Sequence, residues 1–132
     1  MTKLKLSLTV SLLLLALASL NAEPTVIRPR TDKTKKSIPI KNQARLNPND
    51  LTGVDSNVDC YYLDGRLYFS FRSSEGIVNV SVMSAQIGRE YTMKTLSLYP
   101  FSLNVGDVPG YHLITLTTST GNRYEGEYVI EY

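Results

Sequence analysis

Apolar and polar side chains alternate along this chain from Asn57 onward. Val58, Cys60 and Tyr62 alternate with Asn57, Asp59 and Tyr61. Leu67, Phe69 and Phe71 alternate with Tyr68, Ser70 and Arg72, and Val78, Val80 and Val82 with Asn79 and Ser81. Successive side chains of a strand point to opposite faces, so each run predicts a strand with one face on a core and one in water. The C-terminal run is the clearest. Tyr124, Gly126, Tyr128, Ile130 and Tyr132 share one face; Arg123, Glu125, Glu127 and Glu131 share the other, broken only by Val129. Glu125, Glu127 and Glu131 therefore read as a solvated face. The partner strand spans about His112 to Thr118 and is rich in β-branched residues. Gly126 removes a side chain mid-strand, which predicts a bulge or the close approach of another backbone.

Turn residues punctuate these runs. Asp64-Gly65 is a strong hairpin signal, because a type I′ turn needs positive φ at both central residues. Ser74-Glu75-Gly76, Gln86-Ile87-Gly88 and Ser119-Thr120-Gly121-Asn122 are further turns. Glu90 to Lys94 is a short strand whose register the pattern does not fix. Leu96 to Val105 is apolar on both faces and carries Pro100, which predicts a kink or an edge. No segment beyond the N-terminus combines helical period, cap and length. The class is all-β: an antiparallel immunoglobulin-like β-sandwich of about seven strands over residues 48–132, with a small barrel as the alternative. The expected core is Leu67, Phe69, Phe71, Val78, Val80, Val82, Ile114, Leu116, Tyr128 and Ile130. One cysteine and no tryptophan rule out the Cys-Trp-Cys arrangement of antibody domains, so packing alone must join the sheets.

The N-terminus changes the picture. A basic Thr2-Lys3-Leu4-Lys5 precedes an apolar stretch from Leu6 to Leu20 and small residues ending at Ala22. This predicts a signal peptide over 1–22, cleaved after Ala22, since the apolar stretch is short of the roughly 20 residues a spanning helix needs. Removing Lys3 and Lys5 lowers the basic count from 14 to 12, level with the 12 acidic residues. Residues 23–47 read as a basic, Pro-containing arm or linker, with Arg28, Arg30, Lys33, Lys35, Lys36, Lys41 and Arg45 against Asp32. Within it, Ser37-Ile38-Pro39-Ile40 predicts a short edge strand. Asn47-Pro48-Asn49-Asp50 is a turn at the start of the expected sandwich. The basic arm reads as a solvated tether, with weak, salt-screened settling on its own acidic domain as the alternative, no nucleic acid implied and no stable membrane span after signal cleavage.

Chemistry is sparse. Cys60 is the only cysteine and His112 the only histidine. Both sit inside predicted strands, where Cys is an apolar filler and His a packed residue; a Cys60–His112 dyad is the remote catalytic alternative. Asp55 to Asp59 resembles the start of a calcium loop, but Cys60 stands where that loop needs Gly and Arg66 where it needs Glu. There is no zinc spacing and no glycine-rich phosphate loop, so no metal and no cofactor are expected. The nine tyrosines are the richest feature. Tyr61, Tyr68 and Tyr91 fall on faces assigned as outer, and exposed Tyr offers an apolar ring with a polar tip. They form the expected binding face for a protein or a glycan.

Four stretches carry a resemblance: Ser37-Ile38-Pro39-Ile40; Leu67-x-Phe69-x-Phe71 after an Asp-Gly turn; Val78-x-Val80-x-Val82; and Gly121-x-x-Tyr124-x-Gly126-x-Tyr128-x-Ile130. Together they resemble small exported immunoglobulin-like proteins of unknown function from Bacteroides and relatives. The resemblance implies a periplasmic or surface location in a Gram-negative bacterium and an immunoglobulin-like fold, and no activity. That family usually shows Gly-x-Tyr-x-Ile before the last turn, where this chain has Gly110-x-His112-x-Ile114 with Tyr111 one place early. Either His112 takes the aromatic's place, or Tyr111 does and the strand has slipped, which would exchange its faces. The expected function is an exported, non-catalytic binding or structural module of the bacterial envelope with an unknown envelope protein or glycan as partner. The alternatives are an accessory or inhibitory subunit recognised through an edge strand and, remotely, a thiol-dependent hydrolase.

Overall fold

A computed structural model of the chain describes residues 24–43 and 56–132. The expected signal peptide, Arg45, the turn at Asn47–Asp50 and Asp55 lie outside the described residues. Ten strands follow in order: β1 (Thr25–Ile27), β2 (Lys36–Ser37), β3 (Lys41–Asn42), β4 (Val58–Leu63), β5 (Arg66–Phe71), β6 (Ile77–Ser84), β7 (Arg89–Leu96), β8 (Phe101–Asn104), β9 (Gly110–Thr118) and β10 (Arg123–Ile130). One sheet has the order β2-β4-β5-β8; the other runs β1-β10-β9-β6-β7, with β3 also on β10. The long strands β4 to β10 make the seven-stranded, immunoglobulin-like sandwich that the alternation predicts.

The β4–β5 hairpin forms as its turn dictates, with Asp64 at φ 50° and Gly65 at φ 80°, the positive values a type I′ turn requires. Val58, Cys60 and Tyr62 face Phe71, Phe69 and Leu67 across that hairpin. Against them the other sheet sets Val78, Val80 and Val82 of β6, Ile114 and Leu116 of β9, and Tyr124, Tyr128 and Ile130 of β10, all buried. Of the expected core only Phe71 is half-buried; its ring meets Tyr124 edge-on at 6.1 Å. The apolar run Leu96 to Val105 lies at sheet edges, as one of the two readings expects, but in two strands and not one. It holds the end of β7, a turn at Ser97–Pro100 that crosses between the sheets, and the edge strand β8.

The arm departs most from expectation. Its described part packs on the sandwich and is no free tether. β1 lies parallel to β10, with Thr25 beside Tyr128 and Ile27 beside Ile130, the one parallel pairing among the described strands. β2 then pairs with Tyr61 and Tyr62 of β4, and β3 returns to Tyr124 and Glu125 of β10. The physical reason is burial: Ile27, Ile38 and Ile40 are 4%, 2% and 3% exposed, and each fully buried aliphatic side chain contributes about 1.5–3 kcal/mol. Ile38 and Ile40 straddle the exposed Pro39; of the expected edge strand Ser37–Ile40 only Ser37 lies in a strand, β2, and residues 38–40 leave the ladder.

Gly126 is the receiving surface for this arm. A Cβ there would press on the Ile40 Cδ1 atom and lie 2.9 Å from the Pro39 carbonyl oxygen. The β9–β10 register runs unbroken through Gly126 and Ile114. Close approach of a second backbone, and not a bulge, therefore explains the glycine.

Candidate functional site

The outer face of the β2-β4-β5-β8 sheet carries the expected tyrosines. Ser37, Tyr61, Tyr68 and Ser102 stand opposite one another across the four strands. Tyr61 and Tyr68 are both half-buried, and their rings stack at 4.8 Å with 13° between planes. The Lys35 ammonium sits 5.2 Å from the Tyr61 ring centroid, a cation–π distance. On one side of the pair, Asp59 and Arg72 form an exposed ion pair at 3.1 Å. On the other, Arg66 Nη2 donates to Ser102 Oγ at 3.0 Å. The result is a flat aromatic step framed by charges and hydroxyls.

Tyr91 does not join this platform. It lies on β7 in the other sheet, directly opposite Val82. Opposite residues of an antiparallel pair share a face, and Val82 is buried, so Tyr91 points inward and packs against the core. The expectation that it belongs to an outer binding face is corrected by this register, which the sequence pattern left open.

The catalytic alternative fares differently. Cys60 is 4% exposed on the inner face of β4, and burial pushes its thiol pKa far up, away from the reactive thiolate. His112 is 1% exposed between Ser84 of β6 and Tyr128 of β10. Its ring stacks on Tyr128 at 4.6 Å and 13°, so His112 itself occupies the aromatic position; Tyr111 faces outward and β9 has not slipped. Its Nε2 lies 2.7 Å from the Val108 carbonyl oxygen, which only accepts, so Nε2 carries the proton. Burial lowers the His112 pKa, opposed by the Val108 bond. No hydrogen bond joins Cys60 to His112. A cleft of about 810 Å³ between the arm and the loop after β8 is lined by Arg30, Lys33, Asp64, Asp107 and Tyr132, and contains neither residue. No cluster of three or more His, Cys, Asp or Glu suited to a metal occurs among the described residues. Asp59, half of the weak calcium signal, is paired with Arg72.

Two buried carboxylates were not legible as such. Glu127, expected on a solvated face, is 7% exposed; the Tyr111 hydroxyl donates to its Oε2 at 2.7 Å across the outer face of β9 and β10. Burial, and next that bond, raise the Tyr111 pKa. Glu75, expected only as a turn residue, is also 7% exposed. Its Oε1 accepts from Asn122 Nδ2 at 2.5 Å, Thr120 Oγ1 at 3.1 Å and Thr118 Oγ1 at 3.2 Å. Its Oε2 accepts from Tyr124 Oη at 2.5 Å and Asn57 Nδ2 at 2.8 Å. Burial raises its pKa, but the hydrogen bonds led by Asn122 outweigh that and hold it below the ordinary value. Asn57 precedes β4 in one sheet, while the other four donors belong to the β9–β10 hairpin, so this carboxylate ties the two sheets at one pole. A lone Glu in a polar turn carries no periodicity, and no sequence signal marks it.

Comparison with solved structures supports the same architecture. The chain is similar to a DUF3244 family protein with an immunoglobulin-like β-sandwich fold from Bacteroides vulgatus, at a TM-score of 0.57 and 10% identity, over 74% of this chain and 100% of that one. At that identity the likeness establishes the fold. No family model matches the sequence. No curated protein matches it either. No described helix is long and apolar enough to cross a membrane.

Proposed function

We propose that the chain is a non-catalytic, exported immunoglobulin-like binding module of a bacterial envelope, in the periplasm or at the cell surface, and that it engages a protein or glycan through the Tyr61–Tyr68 platform. The observation that carries this is the stacked pair itself: two tyrosines on a solvent face, framed by Lys35, Arg66 and the Asp59–Arg72 pair. Export rests on the N-terminal basic-apolar-small pattern. The absence of catalysis rests on Cys60 and His112, which are buried in the core with no hydrogen bond between them.

A photo-crosslinker placed at Ser102, in the tyrosine row but outside the pair, tests the platform in the living envelope. One discrete adduct is expected, lost when Tyr61 and Tyr68 are both changed to Ala. A glycan array read with the same two proteins covers the carbohydrate case. Equal capture by wild type and the double variant, or capture by neither, refutes the platform. In the non-catalytic reading, Cys60 reacts with an aromatic disulfide reagent only after denaturation; rapid modification of the native protein at neutral pH refutes it.

A further inference from the structure

The sandwich is covered on one side only. β1, β2 and β3 take up the edges of β10 and β4, whereas β7 borders its sheet with no strand beyond it among the described residues. Which backbone groups β7 offers follows from its pairing with β6. Ser97 N donates to Gly76 O at 2.8 Å, and these residues stand opposite in the register that sets Leu96 against Ile77. Hydrogen-bonded pairs alternate along an antiparallel ladder. Thr95, Met93 and Tyr91 therefore bond inward to Val78, Val80 and Val82. The N–H and C=O groups of Glu90, Thr92, Lys94 and Leu96 point away from the sheet.

We infer that this edge pairs with the same edge of a second copy, antiparallel about a two-fold axis through Thr92, and joins two sheets into one. Thr92 then opposes Thr92, and the outward groups of Glu90 meet those of Lys94 in both directions. Glu90 and Lys94 are exposed and share the outer face, and the Ser81 hydroxyl holds Glu90 from its own copy at 2.8 Å. The two-fold thus sets each carboxylate opposite an ammonium, twice. Moving the register by two residues either way removes both charge pairs. Moving it by four places Lys94 on Lys94 or Glu90 on Glu90, where like charges directly opposite destabilise a sheet. The same alignment sets Tyr91 against Met93 on the inner face, extending the core. It also carries Leu96, 55% exposed, toward the turn that bears Ile87, 51% exposed. An edge strand left open invites pairing, and a self-complementary one closes it isologously.

Sedimentation equilibrium of the chain without residues 1–22 tests this against a set of variants. Wild type is expected as a concentration-dependent dimer. Thr92→Pro deletes an N–H that β6 does not use and is expected to be monomeric with an unchanged β-sheet circular dichroism spectrum. Glu90→Lys and Lys94→Glu each turn two attractive pairs into two repulsive ones and are expected to weaken the dimer about tenfold or more. The double variant Glu90→Lys/Lys94→Glu exchanges the charges and restores it. A wild type that stays monomeric to about 100 µM overturns the proposal, as does a dimer indifferent to both single reversals. Restoration by the double variant is an outcome a mere folding defect cannot produce.

Discussion

Removing the Glu75 carboxylate should uncouple the two sheets at one pole. Of its five donors, Tyr124 is 1% and Thr118 9% exposed, so Glu75→Ala takes a buried acceptor from both hydroxyls. Each orphaned buried group costs about 1–3 kcal/mol. Thr118 offsets part of this, since its Oγ1 still meets Thr120 at 2.9 Å and accepts from the Asn122 N–H at 3.2 Å. A loss of about 3–5 kcal/mol follows, a large share of the roughly 5–15 kcal/mol typical of a domain. Glu75→Gln should cost less, about 1–3 kcal/mol. Asn57 is locked by bonds to Ser73 on both its amide atoms, so the new amide nitrogen must face the Asn122 Nδ2, also a donor, and the Thr118 and Thr120 hydroxyls, which can turn to accept. Urea unfolding at constant m measures both values. The hydrogen bonds that depress the Glu75 pKa also set a sign: their stability is present above the unfolded carboxyl value of about 4.3 and is lost as pH falls through the lower folded value. Glu75→Gln should flatten that acid limb. A Glu75→Ala protein within about 1 kcal/mol of wild type would refute the assignment of this carboxylate as the tie between sheets.

His112 gives a second, separate pH dependence. Its folded pKa is depressed, so the unfolded chain takes up a proton that the folded one refuses; stability present above the unfolded value of about 6.5 should fall as pH drops below it toward the lower folded value. His112→Phe keeps a ring against Tyr128 and should remove that slope in denaturant titrations run across the range. Gly126→Ala puts a methyl group into Ile40 and against the Pro39 carbonyl oxygen, and should cost about 1–3 kcal/mol. Limited proteolysis should then cut the arm between β1 and β3 faster than in wild type; an unchanged cleavage rate would count against the close approach.

The sequence made the sandwich readable wherever period and turn chemistry agreed. Val78, Val80 and Val82 announce their face unaided, and Asp64-Gly65 fixes the hairpin that places Tyr61 on Tyr68. Tyr91 was misplaced because β7 is an edge whose polar residues lie on both faces; its side is decided by Val82 across the ladder, a tertiary fact. The arm misled for a related reason. Ile27, Ile38 and Ile40 are scattered among prolines and charges, too few to form a period, and only Gly126 far downstream hinted that something docks there. Glu75 and Glu127 show the same limit in polar form. A carboxylate's burial depends on donors brought from elsewhere, Asn122 and Tyr124 for one and Tyr111 for the other.

The parallel pairing of β1 on β10 orders events during synthesis. Arg28 reaches Glu131 at 3.3 Å across 103 positions of chain, so the first described strand is bound by the last. Thr25 to Ile27 must wait without a mate while every intervening hairpin assembles. High contact order of this kind slows folding, because the long loop's entropy is lost before its contacts repay it. Without β10, Thr25 to Ile27 have no strand to pair with, while β2 keeps its place on β4.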